Sequence, residues 1–116
     1  MTLAETKSQM LADSKNQMVY LMDFVQDFRR NPSLEMLIEP FELTNPQLDA
    51  LLASTAETLC AEATLAPPQW IYDVPPTKYP YFVAELENLK AIALVESPMR
   101  FRKRNVFVLS NFLTRV

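Results

Sequence analysis

Histidine and glycine are both absent from this chain of 116 residues, and cysteine occurs once, at Cys60. Without histidine the commonest general base and the commonest metal ligand are missing. Without glycine no phosphate-cradling loop and no dinucleotide-binding fingerprint can be written. The two-residue hairpin turns that need positive φ lose their usual residue as well, which argues against a β-protein. A lone cysteine forms no internal disulfide and suits a reducing compartment. Apolar runs of about 18 residues, the length that spans a membrane, are absent too. The opening stretch, MTLAETKSQMLADSK, is mostly polar and has no apolar core of the signal-peptide kind. The sequence therefore reads as a soluble cytoplasmic protein with no membrane partner.

What is present is proline, nine residues of it, in a composition 49% hydrophobic and 22% charged. That balance belongs to a chain that buries a core, and the length suits one domain over residues 1–116. Charge divides unevenly along it. Residues 1–76 hold 4 basic and 11 acidic side chains, and residues 77–116 hold 7 and 3, so a front of −7 meets a back of +4. Such a split implies internal complementarity or a polarised binding surface.

Three helical stripes are legible. Met18, Leu21, Met22, Val25 and Phe28 share one face of a long helix predicted over 3–30, ended by Asn31-Pro32. Its polar start, residues 1–17, is expected as a frayed or protruding helical arm. Ser33 caps a short helix over 34–39. Leu48, Leu51, Leu52, Thr55, Leu59 and Ala63 define a helix over 46–64, with Thr44 and Gln47 as its capping box and Pro46 in its first turn. Asp49, Glu57 and Glu62 lie off that stripe, and Cys60 beside it is a small buried hydrophobe. Five prolines over 65–80 forbid regular structure, and Trp70, Ile71 and Tyr72 pin that segment to the helices. Trp70 also offers a stacking face, but its expected role is a structural anchor. A further helix is predicted from Tyr81, with Phe82, Leu86, Leu89, Ile92 or Ala93, and Val95 or Glu96 as its stripe, up to Ser97-Pro98. Pro98 opens a short helical turn with Phe101 inward, Val106-Phe107-Val108 inserts extended into the core, and Ser110 caps a last helix over 111–116. The expected fold is all-α, a single domain of five or six helices with proline-rich connections.

The back half holds an ordered set of signatures. They are Pro68-Gln69-Trp70, the block running from Leu94-Val95-Glu96-Ser97-Pro98 through Phe101 to Asn105-Val106-Phe107-Val108, and Leu113-Thr114-Arg115. Over residues 65–116 this resembles small helical bacterial proteins of an uncharacterised family, which carry a Ser-Pro-x-x-Phe-Arg-Arg-Arg-Asn-hydrophobic-Phe-Val block. The front half resembles them in helix layout only. The resemblance implies a nucleotidyltransferase-like neighbour and an antitoxin-like or accessory role, and it supplies no catalytic residue. Lys103 stands where the pattern has arginine, so the planar bidentate fork is missing at that position.

Chemistry concentrates in RFRKR, where Arg100, Arg102, Lys103 and Arg104 fall within five positions. On a helix Arg100, Lys103 and Arg104 share a face while Arg102 points elsewhere. These four residues are the predicted partner-binding site, because arginine pairs with carboxylates while its stem packs on apolar surface. Two other readings stand beside it: internal pairing with Asp23, Asp27, Glu39 or Glu42, and a nucleic-acid-binding regulator gripping phosphates. Catalysis is not expected. Asp23 and Asp27 sit at i, i+4 on a solvated face and make a poor metal site without histidine, and Cys60 has no base to activate it. No cofactor and no metal are predicted. The expected function is a non-catalytic protein-interaction module, the antitoxin-like or accessory member of a bacterial two-gene system.

Overall fold

Asn45-Pro46 starts the helix around which the rest assembles. The computed structural model of the chain describes residues 1–83 and 87–115. Six α-helices occur among them: α1 (Leu3–Ala12), α2 (Gln17–Arg30), α3 (Pro46–Glu62), α4 (Gln69–Tyr72), α5 (Glu87–Glu96) and α6 (Met99–Arg102). Two short strands, β1 (Tyr81–Phe82) and β2 (Val106–Phe107), and 3₁₀ turns at Ser14–Asn16, Leu34–Leu37 and Phe112–Arg115 complete the described elements. The fold is mainly helical, as the stripes predict, with a two-stranded parallel sheet added.

The N-cap of α3 is Asn45, whose Oδ1 accepts from the Leu48 N–H at 3.2 Å, with Pro46 in the first turn. The predicted capping box of Thr44 and Gln47 is not formed. Thr44 instead accepts from Lys7 Nζ at 3.0 Å. Every apolar stripe residue from Leu48 to Leu59 is buried, and so are Asp49 and Glu57 from the opposite side. α3 is thus covered all round, by α1 and α2 on one side and by α4, α6 and β2 on the other. Each fully buried leucine contributes about 1.5–3 kcal/mol.

The helix expected over 3–30 is two helices. Asp13 leaves the helical region at φ −136°, ψ 78°, and a 3₁₀ turn follows before α2 begins. Asp13, Ser14 and Asn16 compete with the backbone for hydrogen bonds, which is why such residues break helices. The Asp13 carboxylate accepts from Asn16 Nδ2 at 2.9 Å and from the Tyr20 hydroxyl at 2.8 Å, fixing the corner. Those two bonds hold its carboxyl below the usual aspartate range. α1 then packs on α2, with Leu3 and Met10 fully buried, so residues 1–17 are no protruding arm. Its start is fastened by a reciprocal capping box between Thr2 and Glu5.

Lys7 carries α1 onto α3. Its ammonium lies 2.6 Å from Asp49 Oδ1, with the two side chains 5% and 3% exposed. It also donates to the Glu42 carbonyl and sits 4.6 Å from the centre of the Phe41 ring. Phe41 in turn meets Trp70 edge to face, with centroids 5.1 Å apart, and Trp70 Nε1 donates to the Leu37 carbonyl at 2.8 Å. Trp70 is therefore an anchor, although a half-buried one. It sits on α4, one turn of helix in a segment expected to lack regular structure.

Tyr81 and Phe82 are strand and not helix. Tyr81 N–H bonds the Asn105 carbonyl, and Phe82 stacks on Phe107 with centroids 5.2 Å apart. Helix resumes only at Glu87. Leu86 and Val116, both assigned to helices from sequence, lie outside the described residues. Val106 and Val108 are buried as expected. The last helix is a 3₁₀ turn, and Ser110 does not cap it but donates to Glu96 Oε1.

Among the described residues, Thr64 (φ 59°) and Asn105 (φ 64°) adopt the left-handed conformation. Both end helices, where glycine would ordinarily stand. At Thr64 the Leu65 N–H returns to the Cys60 carbonyl at 2.8 Å and the Thr64 N–H to the Ala61 carbonyl at 3.3 Å, a Schellman closure of α3.

Candidate functional site

Pro98 sets up α6, since its fixed φ (−62°) starts a helical turn and its carbonyl receives the Phe101 and Arg102 N–H groups. Ser97 just before it is buried and donates to the Val106 carbonyl at 3.2 Å while accepting from the Val108 N–H at 3.2 Å. These bonds tie the α5–α6 corner to β2. Phe101 fills the inside of the turn, fully buried, and meets Phe112 edge to face. Asn105 then terminates it. The four bases leave this turn in defined directions.

Three of them converge on one carboxylate of α3. Arg104 Nη1 lies 3.1 Å from Glu57 Oε1, Lys103 Nζ lies 2.8 Å from the same oxygen, and Arg100 Nε lies 3.7 Å from Oε2. Lys103 Nζ also donates to Oε2 at 2.8 Å. No donor is aligned on Oε1 for a regular hydrogen bond, so its two cation contacts are ion pairs held by charge. Glu57 was not among the acids expected to pair with these bases. It lies off the apolar stripe of α3, and only the packing of α6 against that side encloses it.

Burial separates the bases. The Arg104 side chain is 3% exposed, against 46% for Arg100 and 41% for Lys103. Arg104 Nη2 donates to the Ile71 carbonyl at 2.9 Å and Nε to the Val74 carbonyl at 3.3 Å, with Ser54 Oγ 3.4 Å from Nη1. It ties α3, α4 and α6 together and offers nothing to an outside partner. Arg104, expected to share an open face with Arg100 and Lys103 in the partner-binding set, is enclosed instead. Arg102 points away from the cluster, as the helical spacing requires. It donates to the Leu94 and Val95 carbonyls at 2.9 and 3.1 Å, closing the C-terminus of α5. Arg100, Lys103 and Arg102 keep solvent-facing charge, and the half-exposed Tyr72 ring lies beneath Lys103, 5.7 Å from its ammonium.

Three cations around one carboxylate leave positive charge unmatched within the cluster, and it lies on the two half-exposed side chains. Other candidates carry less chemistry. Cys60, one turn beyond Glu57, is buried, and desolvation together with the Glu57 charge pushes its thiol upward. Its reactive thiolate is thereby disfavoured. A cleft of about 210 Å³ between α2 and the C-terminal segment is lined by Met18, Met22, Val83, Val108, Leu109, Asn111 and Phe112, with no ionisable side chain. Among the described residues no group of three or more Cys, Asp or Glu is placed to hold a metal ion, and no helix is long and apolar enough to cross a membrane. Comparison with family models, with curated proteins and with solved structures finds no match in any of the three.

Proposed function

We propose that this chain is a non-catalytic protein-interaction module, the antitoxin-like or accessory member of a bacterial two-gene system. The observation that carries this reading is the excess of cation over carboxylate at Arg100 and Lys103, held in place from below by Glu57 and Arg104. A rigid basic surface flanked by an exposed tyrosine suits a partner bearing carboxylates. The nucleotidyltransferase-like nature of that partner rests on the resemblance of the Ser97–Val108 block. The non-catalytic reading is supported by the lack of histidine and by a buried, disfavoured thiolate at Cys60.

Co-expression with the product of the neighbouring gene, followed by pull-down, tests it. The wild-type chain should retain that product, and Arg100→Gln with Lys103→Gln should release it while melting close to the parent. Failure of the wild type to retain it would sink the proposal. Salt-sensitive DNA or RNA binding lost in the same variant would replace it with the nucleic-acid reading.

A further inference from the structure

The spacing of residues 3–30 suits one continuous helix, yet the chain bends between α1 and α2 and folds α1 back on α2. The corner is made at two residues, Asp13 (φ −136°, ψ 78°) and Asn16 (φ −115°, ψ 26°), with a 3₁₀ turn between them. None of residues 13–16 is buried, so the bend itself adds nothing to the core. Its bracing is polar. Asn16 Nδ2 and the Tyr20 hydroxyl donate to the Asp13 carboxylate, and Gln17 Nε2 donates to the Met10 carbonyl at 3.2 Å. Water replaces such bonds at little net loss, and no proline in the corner bars it from helical angles.

The seat that α1 occupies is more demanding than the corner. Leu3, Lys7 and Met10 share one face of α1 and are all buried. The Lys7 ammonium meets Asp49 Oδ1 at 2.6 Å and also donates to Thr44 Oγ1 and the Glu42 carbonyl. No hydrogen-bond donor among the described residues is aligned on Asp49 Oδ1, so its charge is answered by that ammonium. A helix leaving the seat strands a buried carboxylate, which is costly. Only a helix with a lysine at this point of its apolar face refills it. A second copy of this chain supplies one.

We infer that α1 exchanges between two copies of this chain. The corner at Asp13–Asn16 opens, α1 and α2 run on as one helix, and each α1 takes the seat on the other copy's α2 and α3. The exchanged dimer keeps the packing of α1, Lys7 on Asp49 included, and trades the bracing of the corner for a continuous helix. Hinge and concentration together set its balance against the closed chain. This association is independent of the basic cluster and of the interaction reading above.

Charge reversal in trans tests it. Lys7→Asp and Asp49→Lys each put like charges in the buried seat, so each chain alone should melt early or fail to fold. In an exchanged heterodimer both seats regain opposite charges, reversed in one and native in the other. Equimolar full chains refolded together from urea should sediment as a dimer and melt at least about 10 °C above either chain alone. One chain carrying both substitutions serves as control, since its closed form holds the reversed pair. If that control fails to fold, Lys7→Met and Asp49→Leu replace the two substitutions. Exchange then joins the substituted positions in one seat and the native ones in the other. A mixture no more stable than its components would overturn the inference. So would a dimer that either substituted chain forms equally well by itself. The hinge gives an independent measurement. Asp13→Ala/Asn16→Ala removes the bracing and favours helix, and should raise the dimerisation constant at least about tenfold over the parent. Sedimentation of that variant matching the parent at every concentration would also overturn it.

Discussion

Glu57 of α3 and Arg104, two residues past the end of α6, face each other at 3.1 Å with side chains 9% and 3% exposed. Two charges so placed lose most of their hydration, and the loss is tolerable because each finds an opposite charge here. Removing one should cost far more than either would at a surface. Glu57→Leu strands the Arg104 guanidinium and should destabilise by about 3–5 kcal/mol, whereas the double variant Glu57→Leu/Arg104→Met should recover much of that. Urea denaturation of the two single variants and the double variant measures the coupling. Additive losses would show that the pair is not a unit.

The surface member of the same cluster should behave differently. Arg100 is nearly half exposed and sits 3.7 Å from a carboxylate that has two closer cations. Arg100→Gln should therefore change stability by only about 0–1 kcal/mol. A melting temperature that falls as far as that of an Arg104 variant would place Arg100 in the scaffold.

Lys7 tests whether the N-terminal helix belongs to the core. Its ammonium answers the buried Asp49, so Lys7→Ala leaves an uncompensated carboxylate and should cost about 3–5 kcal/mol. An unfastened arm would tolerate the change without effect. Chemical denaturation followed by circular dichroism separates the two outcomes.

Thr64 is a branched residue held at φ 59°, and the left-handed region costs a non-glycine residue roughly 1–2 kcal/mol. Thr64→Gly should relieve part of that, offset by the greater freedom of glycine in the unfolded chain. A net gain of about 0.5–1 kcal/mol is expected from thermal unfolding. A loss would mean that the threonine side chain contributes more than its backbone costs.

Cys60 links stability to alkaline pH. Burial, then the Glu57 charge, raise its thiol in the folded state, while an unfolded thiol titrates near about 8.5. The neutral thiol is thus the form that the fold prefers. Its contribution is fully present below the unfolded value and is lost as pH rises through the folded one. Stability of the wild type should fall across that window more steeply than that of Cys60→Ala. Denaturation midpoints of both proteins at a series of alkaline pH values decide this, and parallel curves would refute it.

The sequence alone determined the helical class and the course of α3. Pro46, the leucine spacing from Leu48 to Leu59 and the absence of glycine are local facts, and each acts on the backbone within a turn or two. Phe101 inward with Arg102 turned away from the other bases was legible for the same reason, since helical spacing fixes directions. The capping box of α1 was equally local, carried by the Thr2-x-x-Glu5 spacing. What tertiary structure decided is which polar residues are surface. Asp49 and Glu57 sit on the side of α3 that an amphipathic reading assigns to solvent, and only the arrival of α1 and α6 buries them. The break at Asp13 is the border case, since its polar residues are local but the bond from Tyr20 that fixes the corner comes from seven residues along the chain. β1 likewise depends on Asn105 and Phe107, more than twenty residues away, which local propensity does not see. Of the four bases picked out by composition, burial against Glu57 made one a scaffold and left three at the surface, because a charge is kept inside only where a partner waits for it.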